Sequence, residues 1–133
     1  MITDLYITTP ALAYLGDSVL ELCVREHLLR AGLSTAAHLN AASRDYVTAS
    51  AQAQAMQRLL PYLTEQEAAV FRRGRNNVHA NIPKKATMAE YRAATGMECL
   101  FAYLYLTQNQ ARIDELFAYA YPADAGESTK GKE

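Results

Sequence analysis

Apolar residues Leu12, Leu15, Val19, Leu22 and Cys23 recur at intervals of three and four, the spacing of a helix that buries a broad face. Thr9 and Pro10 suit its start, as N-cap and first helical residue. Gly32 suits its end, with Arg30 in the last turn. The pattern predicts a first helix over about residues 10 to 30. Ser34 can cap a short second helix reaching about residue 42. Tyr46, Val47, Ala51, Ala55 and Leu59 predict a third helix from about 44 to 60, where Pro61 ends or kinks it. Thr64-Glu65-Gln66-Glu67 and Thr87-Met88-Ala89-Glu90 are capping boxes, in which hydroxyl and carboxylate each satisfy an orphan N–H. The first opens a helix to about residue 73. The second opens a long one to about 107, carrying Met97, Leu100, Phe101, Leu104 and Tyr105. Asn109 marks a break before a last helix over about 110 to 121, with Ile113, Leu116 and Phe117 facing inward.

No run of four to eight residues alternates convincingly and β-branched clusters are absent, so the fold class is all-α, with about six helices and no repeat. The chain has 133 residues, 50% of them apolar, enough for one compact domain over residues 1–121. From Pro122 the composition turns to Asp, Gly, Glu, Ser and Lys, which predicts a disordered polar tail over 122–133. Cys23 and Cys99 fall inside separate helical patterns with no C-x-x-C or His/Cys cluster, and are expected as buried free thiols. The first residues show no basic-then-apolar leader, and Asp17, Glu21, Arg25 and Glu26 interrupt the apolar stretch that follows. A cytoplasmic location is expected.

The formal net charge is only −1, yet Arg72, Arg73, Arg75, Lys84, Lys85 and Arg92 face a single acid, Glu90, within one segment. Gly74 opens an irregular segment, Arg75 to Ala86, whose Asn76, Asn77, Asn81 and Pro83 favour turns over helix. A solvated loop is the plain explanation of such a run. Local cation density with room for close backbone approach favours phosphate contact instead.

Asp17 stands in the apolar pattern of the first helix and Glu98 in the apolar run Met97 to Ala102. A carboxylate among apolar neighbours needs a cationic partner. Two of them on two core helices suit a shared hard divalent cation with oxygen ligands. Glu21 lies one turn beyond Asp17, but pairs more readily with Arg25 at i,i+4. His27, His38 and His79 are not spaced for a metal and are expected at the surface or in packing, His79 alone being placed by its loop to touch a ligand. Metal-assisted hydrolysis of a phosphodiester joins these pieces chemically.

At Leu15-Gly16-Asp17-Ser18-Val19-Leu20-Glu21 the sequence resembles the signature helix of the ribonuclease III family. Arg72-Arg73-Gly74-Arg75-Asn76, Ile82-Pro83-Lys84, Tyr91-Arg92 and Glu98 with Leu100 and Tyr103 resemble its short branch, Mini-ribonuclease III, which lacks a double-stranded-RNA-binding domain. The resemblance spans roughly residues 10 to 120. Pro10 and Ala13 stand where full-length members carry the Glu residues ahead of Leu-Gly-Asp, and Thr95 stands where they carry an Asp, a reduced set that the short branch shares.

The resemblance implies a domain of about six helices dimerising through the signature helix. It also implies an endoribonuclease that cuts double-stranded RNA with Mg²⁺, Mn²⁺ being able to substitute. Asp17 and Glu98 would be the catalytic, metal-binding carboxylates, with Glu21 as a further candidate ligand. Arg72, Arg73, Arg75, Asn76, Lys84, Lys85 and Arg92 would grip RNA. Products would carry 5′-phosphate and 3′-hydroxyl ends. The substrate would be the precursor of large-subunit (23S) ribosomal RNA, with a ribosomal protein as a candidate presenting partner. The competing expectation is a catalytically inactive ribonuclease III fold serving as an RNA-binding component of a ribosomal particle. A third is an unrelated helical interaction protein, which would need no divalent ion.

Overall fold

The computed structural model describes residues 6–78 and 86–122. Positions 79 to 85 of the expected basic loop, with His79, Asn81, Pro83, Lys84 and Lys85, lie outside the described residues, as does the expected polar tail beyond Pro122. Among the described residues the regular structure is entirely helical: α1 (Thr9–Arg30), α2 (Ala36–Val47), α3 (Ala49–Leu59), α4 (Glu65–Asn76), α5 (Met88–Leu106) and α6 (Gln110–Ala120). A 3₁₀ turn, Leu60–Tyr62, follows α3 and contains Pro61.

Local chemistry explains most of the boundaries. Both capping boxes form, at Thr64/Glu67 and Thr87/Glu90, and Asn109 caps α6 by accepting from the Arg112 N–H. Gly32, at φ +101°, ends α1 in the left-handed region. Four expectations shift. The N-cap of α1 is Thr8, whose hydroxyl accepts from the Ala11 N–H; Thr9 is already helical. Thr35, not Ser34, caps α2 by accepting from the His38 N–H. The break between α2 and α3 falls at Thr48, with its backbone extended (ψ 156°) and its hydroxyl on the Ala51 N–H, so Tyr46 and Val47 belong to α2. Finally, α4 continues through Gly74 to Asn76 instead of ending there.

Gly74 stays helical because it is where α4 meets α5. A Cβ on it would stand 2.8 Å from both Cys99 Sγ and Gly96 Cα. Packing at that distance outweighs the helix penalty of glycine, about 1 kcal/mol.

Helix α5 is the centre of the bundle, packed on α1, α4 and α3, with α6 alongside. Its Met97, Leu100, Phe101 and Leu104 form the core with Leu20 and Val24 of α1, Met56 and Leu59 of α3, and Ile113 and Leu116 of α6. Cys99 is buried as expected, whereas Cys23 is only half-buried; both are free. Helix α1 turns Thr9, Leu12, Gly16, Val19, Leu20, Val24 and Leu28 inward. Leu22, expected on that face, is instead 64% exposed, because the inward stripe runs one position away from it. No helix of the described residues is long and apolar enough to cross a membrane.

Candidate active site

The site begins with a close helix crossing. A Cβ built on Gly16 would lie 1.8 Å from the Glu98 carbonyl oxygen and 2.8 Å from its Cα, so α1 can cross α5 there only because position 16 has no side chain. Asp17 follows on α1 and Glu98 is the contacted residue of α5. The crossing therefore brings the two sequence-predicted carboxylates together.

Their environments differ. Asp17 is exposed, not embedded in the apolar face as its sequence neighbours suggested, because the stripe buried by α1 passes through Gly16 and Leu20. Glu98 is half-buried. Burial, and then the negative charge of Asp17, push its carboxyl up from 4.5 to about 8. No ion pair engages either carboxylate among the described residues.

That arrangement fits a divalent ion. Among the described residues the two carboxylates come together without a cation to compensate them, and hard oxygen donors of this kind suit a divalent ion such as Mg²⁺ or Mn²⁺. No group of three or more His, Cys, Asp or Glu side chains converges for metal binding among the described residues. Glu21 is turned to Arg25, whose Nε donates to its Oε1 at 3.0 Å. Thr95, at the position of a family carboxylate, donates its hydroxyl to the Tyr91 carbonyl at 3.0 Å.

The basic candidates separate into two groups. Arg72 and Arg92 are exposed, as is Asn76; Arg75 is half-buried, donating to Asn76 Oδ1 at 3.1 Å with its guanidinium 5.6 Å from the Phe71 ring centre. Arg73 is different. Its Nε donates to Thr9 Oγ1 at 3.1 Å, its Nη2 donates to the Ile7 carbonyl, and its guanidinium lies 6.0 Å from the Tyr6 ring centre. His27 packs between the rings of Tyr46 and Phe117, each 5.6 Å away, and His38 is exposed.

Gly16 and the Arg73–Thr9 contact were missed by the sequence reasoning. Gly16 had a signal, a glycine inside a helical pattern beside an acid; Arg73 had none that separates it from its basic neighbours.

Residues 10–109 match the family model of the ribonuclease III domain, and the all-helical fold of the described residues is that of this class of endoribonuclease domain. The chain is 41% identical over 126 residues to Mini-ribonuclease 3 of Brevibacillus brevis, covering 94% of each. It is 47% identical over 109 residues to Mini-ribonuclease 3 of Symbiobacterium thermophilum, covering 82% of this chain and 84% of the relative. A crystal structure of a Fusobacterium nucleatum protein superposes with a TM-score of 0.78 at 25% identity, covering 86% of this chain and 93% of that one. The chain belongs to the Mini-ribonuclease 3 family and is an endoribonuclease.

Proposed function

We propose that the protein is a divalent-metal-dependent endoribonuclease that cuts double-stranded RNA at a centre built from Asp17 and Glu98. The observation that carries this is the meeting of those two carboxylates at the Gly16–Glu98 crossing without a compensating cation among the described residues. Asp17 and Glu98 hold the ion, with Glu21 within reach as a further ligand once it leaves Arg25. A divalent ion bound there supplies an acidified water and offsets charge developing on the phosphate. Mg²⁺ is the ion of choice, with Mn²⁺ substituting.

The chain's own cations orient the substrate. Arg72, Arg75, Asn76 and Arg92 contact flanking phosphates, joined by Lys84 and Lys85. Duplex RNA suits this set, because it is recognised through phosphates and 2′-hydroxyls more than through bases. Hydrolysis leaves 5′-phosphate and 3′-hydroxyl ends.

The enzyme acts as a homodimer, each copy cutting one strand. Leu22 and Tyr105, 64% and 50% exposed, border a groove of about 260 Å³ walled by Leu15, Val19 and Ile113. Tyr14 and Leu29 add exposed apolar surface to the same helix, so α1 has apolar area beyond what its own core covers. The substrate is the 23S ribosomal RNA precursor in the cytoplasm, with a ribosomal protein as presenting partner.

The test is cleavage of a labelled RNA duplex with and without Mg²⁺ by wild type, Asp17→Asn and Glu98→Gln. The amide variants keep shape and remove charge. Metal-dependent cutting by wild type, with binding but no cutting by both variants, is the expected result. Equal binding by all three with no cutting of any duplex would instead make the protein an inactive RNA-binding component.

A further inference from the structure

Arg73 joins α4 to the start of α1, and we propose that it is a positioning residue that sets how Asp17 stands against Glu98, not a contact to RNA. What the two carboxylates do rests on the nuclease assignment above; how Arg73 acts on them rests on the geometry.

Ahead of Asp17, helix α1 packs Leu12 against Val70, Cys99 and Ala102 and is held at two further points. One is Gly16, against the backbone of Glu98. The other is Thr9, roughly 10 Å back along the helix. Thr9 is gripped from two sides: Arg73 Nε donates to its hydroxyl at 3.1 Å, and Cys99 Sγ donates to its carbonyl at 3.8 Å. Arg73 also donates through Nη2 to the Ile7 carbonyl just before the helix. The next residue of α4, Gly74, lies against Cys99 and Gly96. Adjacent residues of α4 thus grip both catalytic helices, one by hydrogen bonds and one by backbone contact.

The Gly16 contact by itself is a pivot. It fixes where α1 crosses α5 but not the direction in which α1 runs. The Leu12 packing and the Thr9 contact together supply the direction, Thr9 at the longer lever arm, and Asp17, next to the pivot, turns with the helix. A planar guanidinium is suited to this task because it presents two donors in a fixed fork to two acceptors. A lysine keeps the charge and loses the fork.

A phosphate contact is the competing use of the same charge, and the two uses separate in experiment. The variants are Arg73→Lys, Arg73→Gln and Thr9→Val, the last removing the accepting hydroxyl at nearly constant volume. Three quantities are measured: single-turnover cleavage of duplex RNA, RNA affinity against salt without divalent ion, and the Mn²⁺ binding midpoint followed by the electron paramagnetic resonance of free Mn²⁺. The expected result is a loss of about tenfold or more in the single-turnover rate for both Arg73 variants, a severalfold weaker Mn²⁺ midpoint, and a smaller loss in both for Thr9→Val. RNA affinity and its salt slope stay at the wild-type values.

A weaker RNA affinity for Arg73→Gln with a salt slope lower by about one, restored by Arg73→Lys, would mark a phosphate contact and overturn the proposal. An unchanged rate and midpoint in Arg73→Lys and Thr9→Val would overturn it as well, and these two variants decide the matter if Arg73→Gln does not fold. Should the wild type fail to cut RNA, the nuclease assignment falls, and the Mn²⁺ midpoints of the same variants still decide the role of Arg73.

Discussion

Gly16 of α1 rests on the backbone of Glu98 so closely that a methyl group at position 16 would stand 1.8 Å from the Glu98 carbonyl oxygen. The obstacle is main chain, which cannot rotate out of the way as a side chain can. Gly16→Ala must therefore push α1 off α5. The expected destabilisation is about 3 kcal/mol, at the upper end of overpacking costs, read from urea unfolding. Cleavage should fall further than stability explains, since Asp17 moves with α1 while Glu98 stays. A variant as stable and as active as wild type would show that the helices do not cross here.

Glu98 gives the metal-free protein a pH dependence of defined sign. Its carboxyl is pushed from 4.5 to about 8 by burial and then by Asp17, so between these values the folded chain holds a proton that the unfolded chain has lost. Stability then decreases as pH rises through that window. In chelator the thermal midpoint should fall from pH 5 toward pH 8, and Glu98→Gln should flatten that fall. Excess Mg²⁺ should restore the midpoint most at the alkaline end, because only the ionised pair binds it well. The same slope in Glu98→Gln as in wild type would assign the effect to another group.

What could be read from the sequence divides along the range of the interactions. The capping boxes at Thr64 and Thr87 were legible because each closes within one turn, and so was the apolar stripe of α5 except at Tyr105, which is exposed. Asp17 and Glu98 could be singled out because each is a carboxylate in an apolar run. Their meeting could not be read from spacing, since it depends on Gly16 finding Glu98 far along the chain. Gly74 was misread for the same reason. A glycine after two arginines looks like a helix end until Gly96 and Cys99 stand against it. Arg73 was grouped with its basic neighbours because nothing local distinguishes it; only Thr9 and Ile7, brought to it by the fold, do.

Away from the site, Arg112 ties α6 to the start of α4. Its Nε and Nη2 donate to Glu67 at 2.7 and 2.8 Å, and its Nη2 donates to the Tyr62 carbonyl at 2.8 Å. The Glu67 side chain is 7% exposed, and the hydrogen bonds from Arg112 hold its carboxyl below the usual value of 4.5 despite burial. Arg112→Met leaves that carboxylate enclosed without its cation, a loss of about 3 kcal/mol at neutral pH. The lowered value adds stability above the ordinary carboxylate pKa that disappears as pH falls through and below it. The difference between wild type and variant in urea unfolding should therefore narrow in acid. A difference independent of pH would mean that Arg112 acts through packing alone.

Leu22 tests whether two copies are needed. It is 64% exposed on a helix that also exposes Tyr14 and Leu29, and it borders the same groove as Tyr105. If a second copy closes this face, Leu22→Glu places a charge in an apolar contact and should shift the sedimentation mass from two chains to one at concentrations where wild type is dimeric. Folding should survive, because position 22 makes little use of the protein's own core. With one centre per copy, the separated subunit should nick duplex RNA slowly instead of releasing double-strand cuts, which denaturing and native gels of the same reaction distinguish. A dimer of unchanged mass in Leu22→Glu would place the contact elsewhere on the molecule. A wild-type mass of one chain would remove the paired-cut scheme, because a single Asp17–Glu98 centre cannot address both strands of a duplex at once.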